Sequence, residues 1–503
     1  MRNAKNAKRV ILKILFVCMI MLSVSCLILS CGNDGGTPDI PENAKDSGND
    51  NAGNPEATQE QKPALDLPEI KYDGYAFRIL NVPQSEVTWV YTTLCANEEN
   101  GDGVNDAVYR RNKLAEDRFG IEIKEITGSS RKDVYQKAAN VIKAGADDYD
   151  LVMLSLDDAG PVGLAQTGML ADYNQIPYID LTQIWWDRDI VRDLSVGGRN
   201  YFVAGDFSMM HYGNTMGMIF NKKLLVDLGL ESPYGAVKAG KWTFDKFHEM
   251  TKNASKDLDG DGVFTKSDQY GYMAHTFVWA QGFMASAGQQ MISKDKDDMH
   301  AFNMKDEKFI ETYKKLLEIM YDGDILFDTE LAGDHDLPYL AFPNNQVLFY
   351  SNVIHNVVRF RDMESDFGII PFPKFDENQS GYLTYIYPPP VMCVPVTAQN
   401  LERTGVILEA LCYESTDTVI KAYYDVLLKT KISRDDESEG MLDIIFQNRF
   451  YSIADIFYFG ETYNQFYQLS QKKDANLASW IEKNEAKIIA AIDKNNQAFS
   501  KNE

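Results

Sequence analysis

The sequence contains little cysteine, little histidine and comparatively little positive charge. Its 503 residues include six cysteines and six histidines, and 50 Lys and Arg stand against 74 Asp and Glu, for a net charge of −24. So acidic a surface argues against nucleic acid and anionic lipid head groups as partners. Cys95, Cys393 and Cys412 are irregularly spaced and predict no disulfide framework. Cys393 and Cys412 are expected to be buried as small apolar residues, and the histidines show no local metal-binding spacing.

The sequence also lacks the short motifs of common enzyme classes. It contains no G-x-S-x-G and no H-E-x-x-H. The segment GAVKAGKW (235–242) has the frame of a phosphate-binding loop, but Trp242 stands where Ser or Thr would bind magnesium. Thr243 is expected to cap the next helix instead. We therefore expect no enzyme activity. A glycoside hydrolase, which needs only two carboxylates, is kept as an alternative.

The N-terminal segment is basic and then apolar. Residues 1–13 contain five Arg or Lys and no acid, and the following apolar run ends in ILSC at Cys31. This order predicts a secretory signal peptide over 1–30, because the run is short for a membrane span. The ILSC ending resembles the bacterial lipobox, which implies that Cys31 is lipidated. Cys26 is the alternative acceptor, and an uncleaved anchor helix is the alternative to cleavage.

Residues 31–70 are rich in Gly, Asn, Asp, Pro, Glu and Gln and contain no aromatic residue. Such a composition cannot bury a core, so it predicts a disordered acidic tether. The tether would hold the remaining body at the extracellular face of the cell membrane of a bacterium of the Gram-positive type. That body, 71–503, is too long for one core and predicts two lobes.

The body alternates predicted strands and helices. Its first part reads as strand, helix, strand, helix, strand, in the segments YAFRILNV (75–82), DAVYRRNKLAEDRFG (106–120), IEIKEI (121–126), DVYQKAANVIKAGA and YDLVMLS (149–155). This order predicts an α/β fold with a parallel sheet. Long helices are expected at 306–321 and 473–495.

Several segments together resemble one protein family. They are YAFRIL, GVNDAVYRRNKLAEDRFGIEI, LADYNQIPYIDLTQIWWD, MGMIFNKKLLVDLGLESPY, GKWTFDKFHEM and DFGIIPFPKFDENQ. Their order is similar to that of the extracellular solute-binding lipoproteins of bacterial ABC importers, in the group that binds sugars and oligosaccharides. The resemblance implies a two-lobed, type II periplasmic-binding-protein-like α/β fold with a ligand cleft. It also implies a monomer that delivers its ligand to ABC permease subunits, and a lipoprotein that senses ligand for a membrane receptor remains an alternative.

By the same resemblance, the first lobe takes 71–206 and 370–415, and the second takes 207–369 and 416–503. The short extended stretch FGIIPFP is expected to form a crossing between the lobes, because its prolines would stiffen it.

Sugar sites combine aromatic platforms with carboxylates and amides. The candidate ligand-binding residues are Trp89, Asp157, Trp279, Asn352 and Tyr387. Trp89, Asp157 and Asn352 follow predicted strands, at the edge where open α/β sheets bind ligands. Trp279 lies in FVWAQGF and Tyr387 in TYIYPPP near an expected crossing. The alternatives are a loop anchor for Trp89, a helix cap for Asp157 and a buried helix for Trp279.

The segment DLDGDGVFTKSD (257–268) is close to the calcium-loop pattern. Its expected Ca²⁺ ligands are the side chains of Asp257, Asp259, Asp261 and Asp268, the carbonyl of Val263, and Thr265 directly or through water. A helix is expected before the loop and a strand after it, and no second loop exists. The pattern therefore predicts a structural calcium clip in the second lobe rather than a sensor, and a solvated acidic turn is the alternative.

Overall fold

The structure is a computed structural model that describes residues 62–158, 160–429 and 436–501. The predicted signal peptide, the predicted lipid-bearing Cys31 and most of the predicted tether lie outside these residues. Within the described ranges, no helix is both long enough and apolar enough to cross a bilayer.

The last part of the expected tether packs on the body. Lys62 pairs with Asp417, with Nζ 2.7 Å from the carboxylate. Leu65, Leu67 and Ile70 pack against the hydrophobic core. Burying these three apolar side chains stabilises the attachment, so the body begins near Lys62 rather than at residue 71.

The first sheet has four strands in the order β12-β3-β1-β2. They are β1 (Tyr75–Asn81), β2 (Ile121–Thr127), β3 (Leu151–Ser155) and β12 (Pro390–Cys393). Strands β1, β2 and β3 are parallel, as the alternation of strands and helices predicts, and β12 runs antiparallel to β3. The first helix of this lobe, Gly103–Phe119, is capped by Asp102 and ends at Gly120, whose φ of 61° suits glycine.

The second sheet has five strands in the order β10-β4-β9-β5-β8. They are β4 (Met216–Asn221), β5 (Tyr270–Ala274), β8 (Leu326–Asp328), β9 (Val347–Val353) and β10 (Phe367–Ile370). Strand β5 is parallel to both β8 and β9, whereas β4 is antiparallel to β9 and β10. The carboxyl ends of β5, β8 and β9 therefore meet at one edge of the sheet.

The remaining strands form two small pairs. Strands β6 (Ile292–Lys294) and β7 (His300–Phe302) are antiparallel, and β11 (Thr384–Tyr385) is parallel to β13 (Arg449–Phe450). The other α-helices are Arg131–Lys143, Gly160–Gln166, Arg188–Leu194, Met210–Gly213, Lys222–Asp227, Pro233–Lys238, Phe244–Lys252, Thr276–Ser286, Glu307–Met320, Pro338–Ala341, Leu401–Ser415, Lys421–Lys429, Asp436–Gln447, Ile453–Phe457, Thr462–Gln471 and Leu477–Ser500.

The chain returns to the first lobe later than expected. Strand β10, which contains the start of FGIIPFP, belongs to the second sheet. The residues after it stay on that lobe, since the Trp242 indole N–H donates to the Pro371 carbonyl at 2.9 Å and the Ser286 hydroxyl to the Pro373 carbonyl at 2.8 Å. The segment that crosses back to the first lobe, called the return crossing below, is therefore 384–390. The lobe boundary that was expected near residue 370 lies closer to this segment.

The C-terminal part also differs from the expected division. The helix Lys421–Lys429 packs on the first-lobe helix Gly103–Phe119. Packing on the second lobe resumes at the helix Asp436–Gln447, which contacts β10, and continues where Thr462–Gln471 contacts the helix Thr276–Ser286. The segment 416–429 thus belongs with the first lobe.

Two smaller expectations concern the buried cysteines and the helix cap at Thr243. Cys393 and Cys412 are fully buried, which confirms their role as small core residues. Trp242 is also fully buried, and the Thr243 hydroxyl accepts a hydrogen bond from the Lys246 backbone N–H at 3.3 Å. The segment with the phosphate-loop frame therefore ends in a helix cap.

Candidate functional site

A cavity of about 400 Å³ lies between the loop after β1 and the strand ends of the second sheet. Thr88, Trp89 and Tyr387 line it from the loop after β1 and from the return crossing. The second lobe contributes His275, Phe277, Glu330, His335, Asp336, Tyr339, Asn352, Val353, Asn356 and Arg359. Three of the five predicted ligand-binding residues, Trp89, Asn352 and Tyr387, are thus brought together at one cavity.

The loop that carries Trp89 is fixed by Gln84. The Gln84 amide donates to the carbonyls of Val87 and Val90 at 2.8 and 2.7 Å, and its oxygen accepts from the Thr92 N–H at 2.9 Å. The Trp89 indole nitrogen is buried, and no described residue supplies it with an acceptor. A buried donor without a partner costs free energy, so this N–H is suited to an incoming oxygen.

Aromatic rings from both lobes meet beside Trp89. The Tyr387 ring lies edge to face with Trp89 at 6.2 Å between centroids, and Phe277 lies 5.5 Å from Tyr387. Tyr387 is held by its backbone, because its N–H donates to the Asn214 carbonyl at 3.0 Å and its carbonyl accepts from the Asn214 amide at 3.1 Å. Burial raises the pKa of Tyr387, so its hydroxyl stays protonated. The rings form a rigid apolar wall.

Amides form the facing wall at the end of β9. The Asn352 amide donates to the Tyr350 hydroxyl at 2.5 Å, and its oxygen accepts from the Asn356 amide at 3.0 Å. The Asn356 oxygen is buried, and the described part of the chain offers it no donor. This wall therefore presents an acceptor that suits a ligand hydroxyl.

His275, Glu330 and His335 form a cluster at the ends of β5 and β8. The Nδ1 atoms of His275 and His335 are 3.3 Å apart, and His275 Nδ1 lies 4.0 Å from Glu330 Oε2. Burial, and to a lesser extent the nearby His335, lowers the pKa of His275 to about 4. The His275 imidazole is therefore neutral at pH 7.

Asp157 lies beside the cavity rather than in its lining. Its carboxylate pairs with Arg131, and its backbone carbonyl accepts a hydrogen bond from the Tyr458 hydroxyl. The Arg131 guanidinium lies 5.6 Å from the centre of the Trp89 ring. Asp157 thus supports the first-lobe wall by holding Arg131 against Trp89, and it is not one of the residues that line the cavity.

Trp279 does not reach the cavity. Its side chain is fully buried in the second lobe, where its indole N–H donates to Asp328 at 2.9 Å and its ring packs edge to face with Tyr321. A helix turns about 100° per residue, so Phe277 and Trp279 point about 200° apart. Phe277 therefore lines the cavity in place of Trp279, which serves the core.

Sequence reasoning missed the cavity residues His275, Phe277, Glu330 and His335. The strand-end rule that indicates Trp89 and Asn352 also applies to His275 after β5 and to Glu330 after β8. The two histidines are 60 residues apart in the chain, so no local spacing joins them. Only the parallel pairing of β5 with β8 brings them together.

Backbone N–H groups of the predicted calcium loop donate hydrogen bonds to carboxylates of the same loop. The Asp257 carboxylate accepts from the N–H groups of Gly260 and Gly262, both at 2.7 Å, and Asp268 accepts from Leu258 at 2.9 Å. Carboxylate oxygens of Asp257, Asp259 and Asp261 lie within 4.8 Å of one another. The helix Phe244–Lys252 precedes the loop and β5 follows it, as predicted.

The neighbouring groups of this loop change the pKa of Asp259. A hydrogen bond from the Asp261 backbone N–H lowers the pKa of Asp259, but desolvation and the charges of Asp261, Asp268 and Asp257 raise it above its ordinary value overall. Of the other expected ligands, Val263 is exposed, and Thr265 donates from its backbone N–H to Asp268 at 2.7 Å.

Comparison with known proteins identifies the architecture. A family model described as "Bacterial extracellular solute-binding protein" matches residues 106–388. The fold is similar to that of the ABC substrate-binding protein Lmo0181 from Listeria monocytogenes in complex with cycloalternan, with a TM-score of 0.53, 15% identity and coverage of 85% of this chain and 100% of that chain. No curated protein sequence matches the chain.

Two further structures are similar at comparable levels. They are apo RafE from Streptococcus pneumoniae (TM-score 0.54, 14% identity, 86% of this chain and 98% of that chain) and a cyclo/maltodextrin-binding protein complexed with maltotetraose (TM-score 0.53, 12% identity, 86% and 98%). These similarities confirm the predicted two-lobed, type II periplasmic-binding-protein-like α/β fold.

Proposed function

We propose that this chain, which belongs to the bacterial extracellular solute-binding protein family, binds a sugar or oligosaccharide and delivers it to the permease subunits of an ABC importer. The ligand occupies the cavity between the two sheets. The chain is similar in fold to proteins solved with cycloalternan and maltotetraose, which agrees with this ligand class. The proposal itself rests on the chemistry of the cavity.

The observation that carries the proposal is the pairing of an aromatic wall with unpartnered polar atoms. The rings of Trp89 and Tyr387 suit the apolar faces of pyranose rings. The free indole N–H of Trp89 and the free amide oxygen of Asn356 suit ring hydroxyls, which both donate and accept. A ligand without hydroxyls would leave these buried atoms unpaired, at a cost of about 1–3 kcal/mol each.

The proposal is tested by isothermal titration of the full chain with a panel of linear and cyclic oligosaccharides, together with amino acids and short peptides. We expect saturable binding of at least one oligosaccharide and none of the peptides. Chromatography of the recovered ligand separates a binder from a glycoside hydrolase, since Glu330 and Asp336 both line the cavity. Recovery of cleaved sugar, or binding of peptides alone, would contradict the proposal.

We further propose that the protein is a monomeric lipoprotein attached outside the cell through Cys31. The ILSC sequence and the basic, apolar segment before it support this attachment. Cys31→Ser should abolish labelling by a fatty-acid probe in the membrane fraction, while Cys26→Ser should leave it unchanged. Persistent labelling of Cys31→Ser with loss in Cys26→Ser would move the attachment to Cys26.

The loop 257–268 is proposed to hold a structural Ca²⁺ ion. Oxygen ligands in this number and spacing suit calcium, and the cluster of Asp257, Asp259 and Asp261 supports the proposal. The loop links the helix Phe244–Lys252 to β5, whose far end reaches the cavity at His275. Calcium would therefore stabilise the second lobe without contacting the ligand.

A further inference from the structure

Two imidazoles and a carboxylate converge where β5 and β8 end. His275 follows β5 directly and begins the helix Thr276–Ser286, while Glu330 and His335 belong to the loop after β8. One ligand atom from each of the three side chains lies within 4.8 Å of the other two. Because β5 and β8 are parallel neighbours in the sheet, the fold itself sets this convergence.

Two of the three separations are close to those of a tetrahedral metal site. Zinc binds imidazole nitrogen at about 2.0–2.1 Å and carboxylate oxygen at about 2.0–2.2 Å, which places neighbouring ligand atoms about 3.3–3.5 Å apart. The two Nδ1 atoms are 3.3 Å apart, and Glu330 Oε2 is 4.0 Å from His275 Nδ1. A movement of about 0.5 Å by the partly exposed Glu330 side chain would bring it within the tetrahedral range.

Hydrogen bonding alone does not account for the arrangement. The Thr329 hydroxyl lies 2.8 Å from His275 Nδ1, the same nitrogen that His335 approaches. A ring nitrogen carries either one lone pair or one hydrogen, so it cannot form good hydrogen bonds to both groups. A cation at this point would be shared by His275 and His335 and would leave Thr329 free to turn to another partner.

The surroundings resemble those that support metal ligands. Burial and the nearby Glu330 carboxylate raise the pKa of the Tyr467 hydroxyl, and the Gln471 amide donates to this hydroxyl at 2.9 Å. Outer partners of this kind orient ligating carboxylates. The Phe277 ring is parallel to the His275 ring, with planes 6° apart and centroids 5.7 Å apart, and helps to orient the imidazole.

We propose that His275, Glu330 and His335 bind a divalent transition-metal ion of the zinc type, with a fourth coordination position open to the cavity. Two imidazoles and one carboxylate suit such an ion better than calcium or magnesium, which prefer oxygen ligands. All three residues line the cavity, so a water molecule or a ligand oxygen completes the coordination. Metal binding stands on these residues alone, whereas its effect on ligand affinity rests on the proposed function.

The test uses the full chain after dialysis against a chelator, with saturating Ca²⁺ restored so that the loop 257–268 stays filled. Zn²⁺ uptake is measured by elemental analysis and Co²⁺ uptake by its visible absorption, whose intensity reports tetrahedral geometry. We expect one tightly bound ion per chain. Glu330→Gln and His335→Gln should weaken binding at least tenfold, since loss of even an outer partner costs about 10–100-fold.

His248→Gln is the matched control, because His248 pairs with Asp322 at 2.7 Å outside the cavity. It should keep full metal uptake. Circular dichroism of the variants checks that they fold, and the exposed position of His335 makes His335→Gln the safer of the two. Lack of tight uptake by the wild type, or equal uptake by the folded His335→Gln variant, would overturn the inference.

Repeating the oligosaccharide titrations with and without Zn²⁺ separates the two proposals. Metal uptake without binding of any sugar would leave the metal site standing and refute the proposed function. Sugar binding without metal uptake would leave the proposed function standing and refute the metal site. If both stand, the affinity of the chelated protein should be restored by Zn²⁺ in the wild type but not in Glu330→Gln.

Discussion

The Trp89 indole meets the Tyr387 ring edge to face, with centroids 6.2 Å apart and planes at 81°. Trp89 comes from the loop after β1 and Tyr387 from the return crossing, while the ring of Phe277 in the second lobe lies 5.5 Å from that of Tyr387. A ligand that stacks on Trp89 therefore touches the point where the lobes join. This makes Trp89 the most direct probe of the cavity.

Trp89→Ala should weaken oligosaccharide binding by about 1–3 kcal/mol, because it removes both a stacking face and an unpartnered N–H. Such a loss corresponds to roughly 5–150-fold in the dissociation constant. Trp480→Ala is the matched control, since Trp480 is a similarly half-buried tryptophan that does not line the cavity. Isothermal titration measures both. Equal affinities for the two variants would remove Trp89 from the ligand site.

Trp279→Ala should lower the stability of the fold more than it lowers ligand affinity, in contrast to Trp89→Ala. Its fully buried ring supports the second lobe, so its truncation should lower the free energy of unfolding by about 3–5 kcal/mol. Asp328 would also lose the indole N–H that donates to it at 2.9 Å. Ligand affinity, measured at a temperature where the variant is folded, should change less than for Trp89→Ala. A large loss of affinity with unchanged denaturant midpoint would place Trp279 at the ligand after all.

These two tryptophans show how far sequence reasoning reaches into the site. Trp89 lies in the loop after β1 and Asn352 at the end of β9, and ligands of α/β sheets bind at strand ends, so the topology alone indicates them. Trp279 lies in a helix whose residues are nearly all apolar, and such a helix has no polar face to show which side is buried. Its rotation about the helix axis is set by tertiary packing, and that places Phe277 at the cavity.

Dependence on tertiary contacts also explains why the lobe boundaries could not be predicted from the sequence. The parallel first sheet could be predicted because strands and helices alternate regularly through residue 155. The return crossing could not, because the prolines of FGIIPFP and of TYIYPPP are equally suited to a stiff extended segment. What separates them is a set of long-range hydrogen bonds, such as that from Trp242 to the Pro371 carbonyl, which no local pattern encodes.

His300 offers a test of acid stability away from the cavity. Burial and, to a lesser extent, the charge of Lys294 lower its pKa to about 3, although Asp298 and Asp295 act in the opposite sense. In the unfolded chain a histidine titrates near pH 6.5. Between these values the unfolded chain binds more protons, so the free energy of unfolding falls as the pH falls.

His300→Gln removes this titration. Its free energy of unfolding should therefore fall less steeply than that of the wild type from about pH 6.5 toward pH 4, with slopes that differ by up to about 1.4 kcal/mol per pH unit. Burial raises the pKa values of the Glu409 and Asp455 carboxyls to about 7. These carboxyls increase the free energy of unfolding as the pH falls, but they do so equally in both proteins. Urea denaturation at several pH values measures the difference. Parallel stability curves would show that His300 accepts a proton in the folded state.

The calcium loop is tested by changing calcium alone. The protein is stripped with a chelator, Zn²⁺ is restored to every sample, and melting is followed as Ca²⁺ is added. The melting temperature should rise, because a ligand that binds only the folded state at a hundred times its dissociation constant contributes about 2.7 kcal/mol. Without the cation, the carboxylates of Asp257, Asp259 and Asp261 face one another within 4.8 Å and repel.

Asp259→Asn should abolish most of this calcium-dependent rise, since it removes one anionic ligand from a loop in which the acids are tightly grouped. It should also raise the melting temperature measured without calcium, because the repulsion that raises the pKa of Asp259 is relieved. Asp362→Asn, at an exposed acid outside the loop, is the control and should respond to calcium like the wild type. Oligosaccharide affinity should remain nearly unchanged by calcium in all three proteins, because the loop lies at the far end of β5 from His275. If calcium removal abolished sugar binding while the melting temperature stayed constant, the ion would belong to the ligand site instead of the second-lobe scaffold.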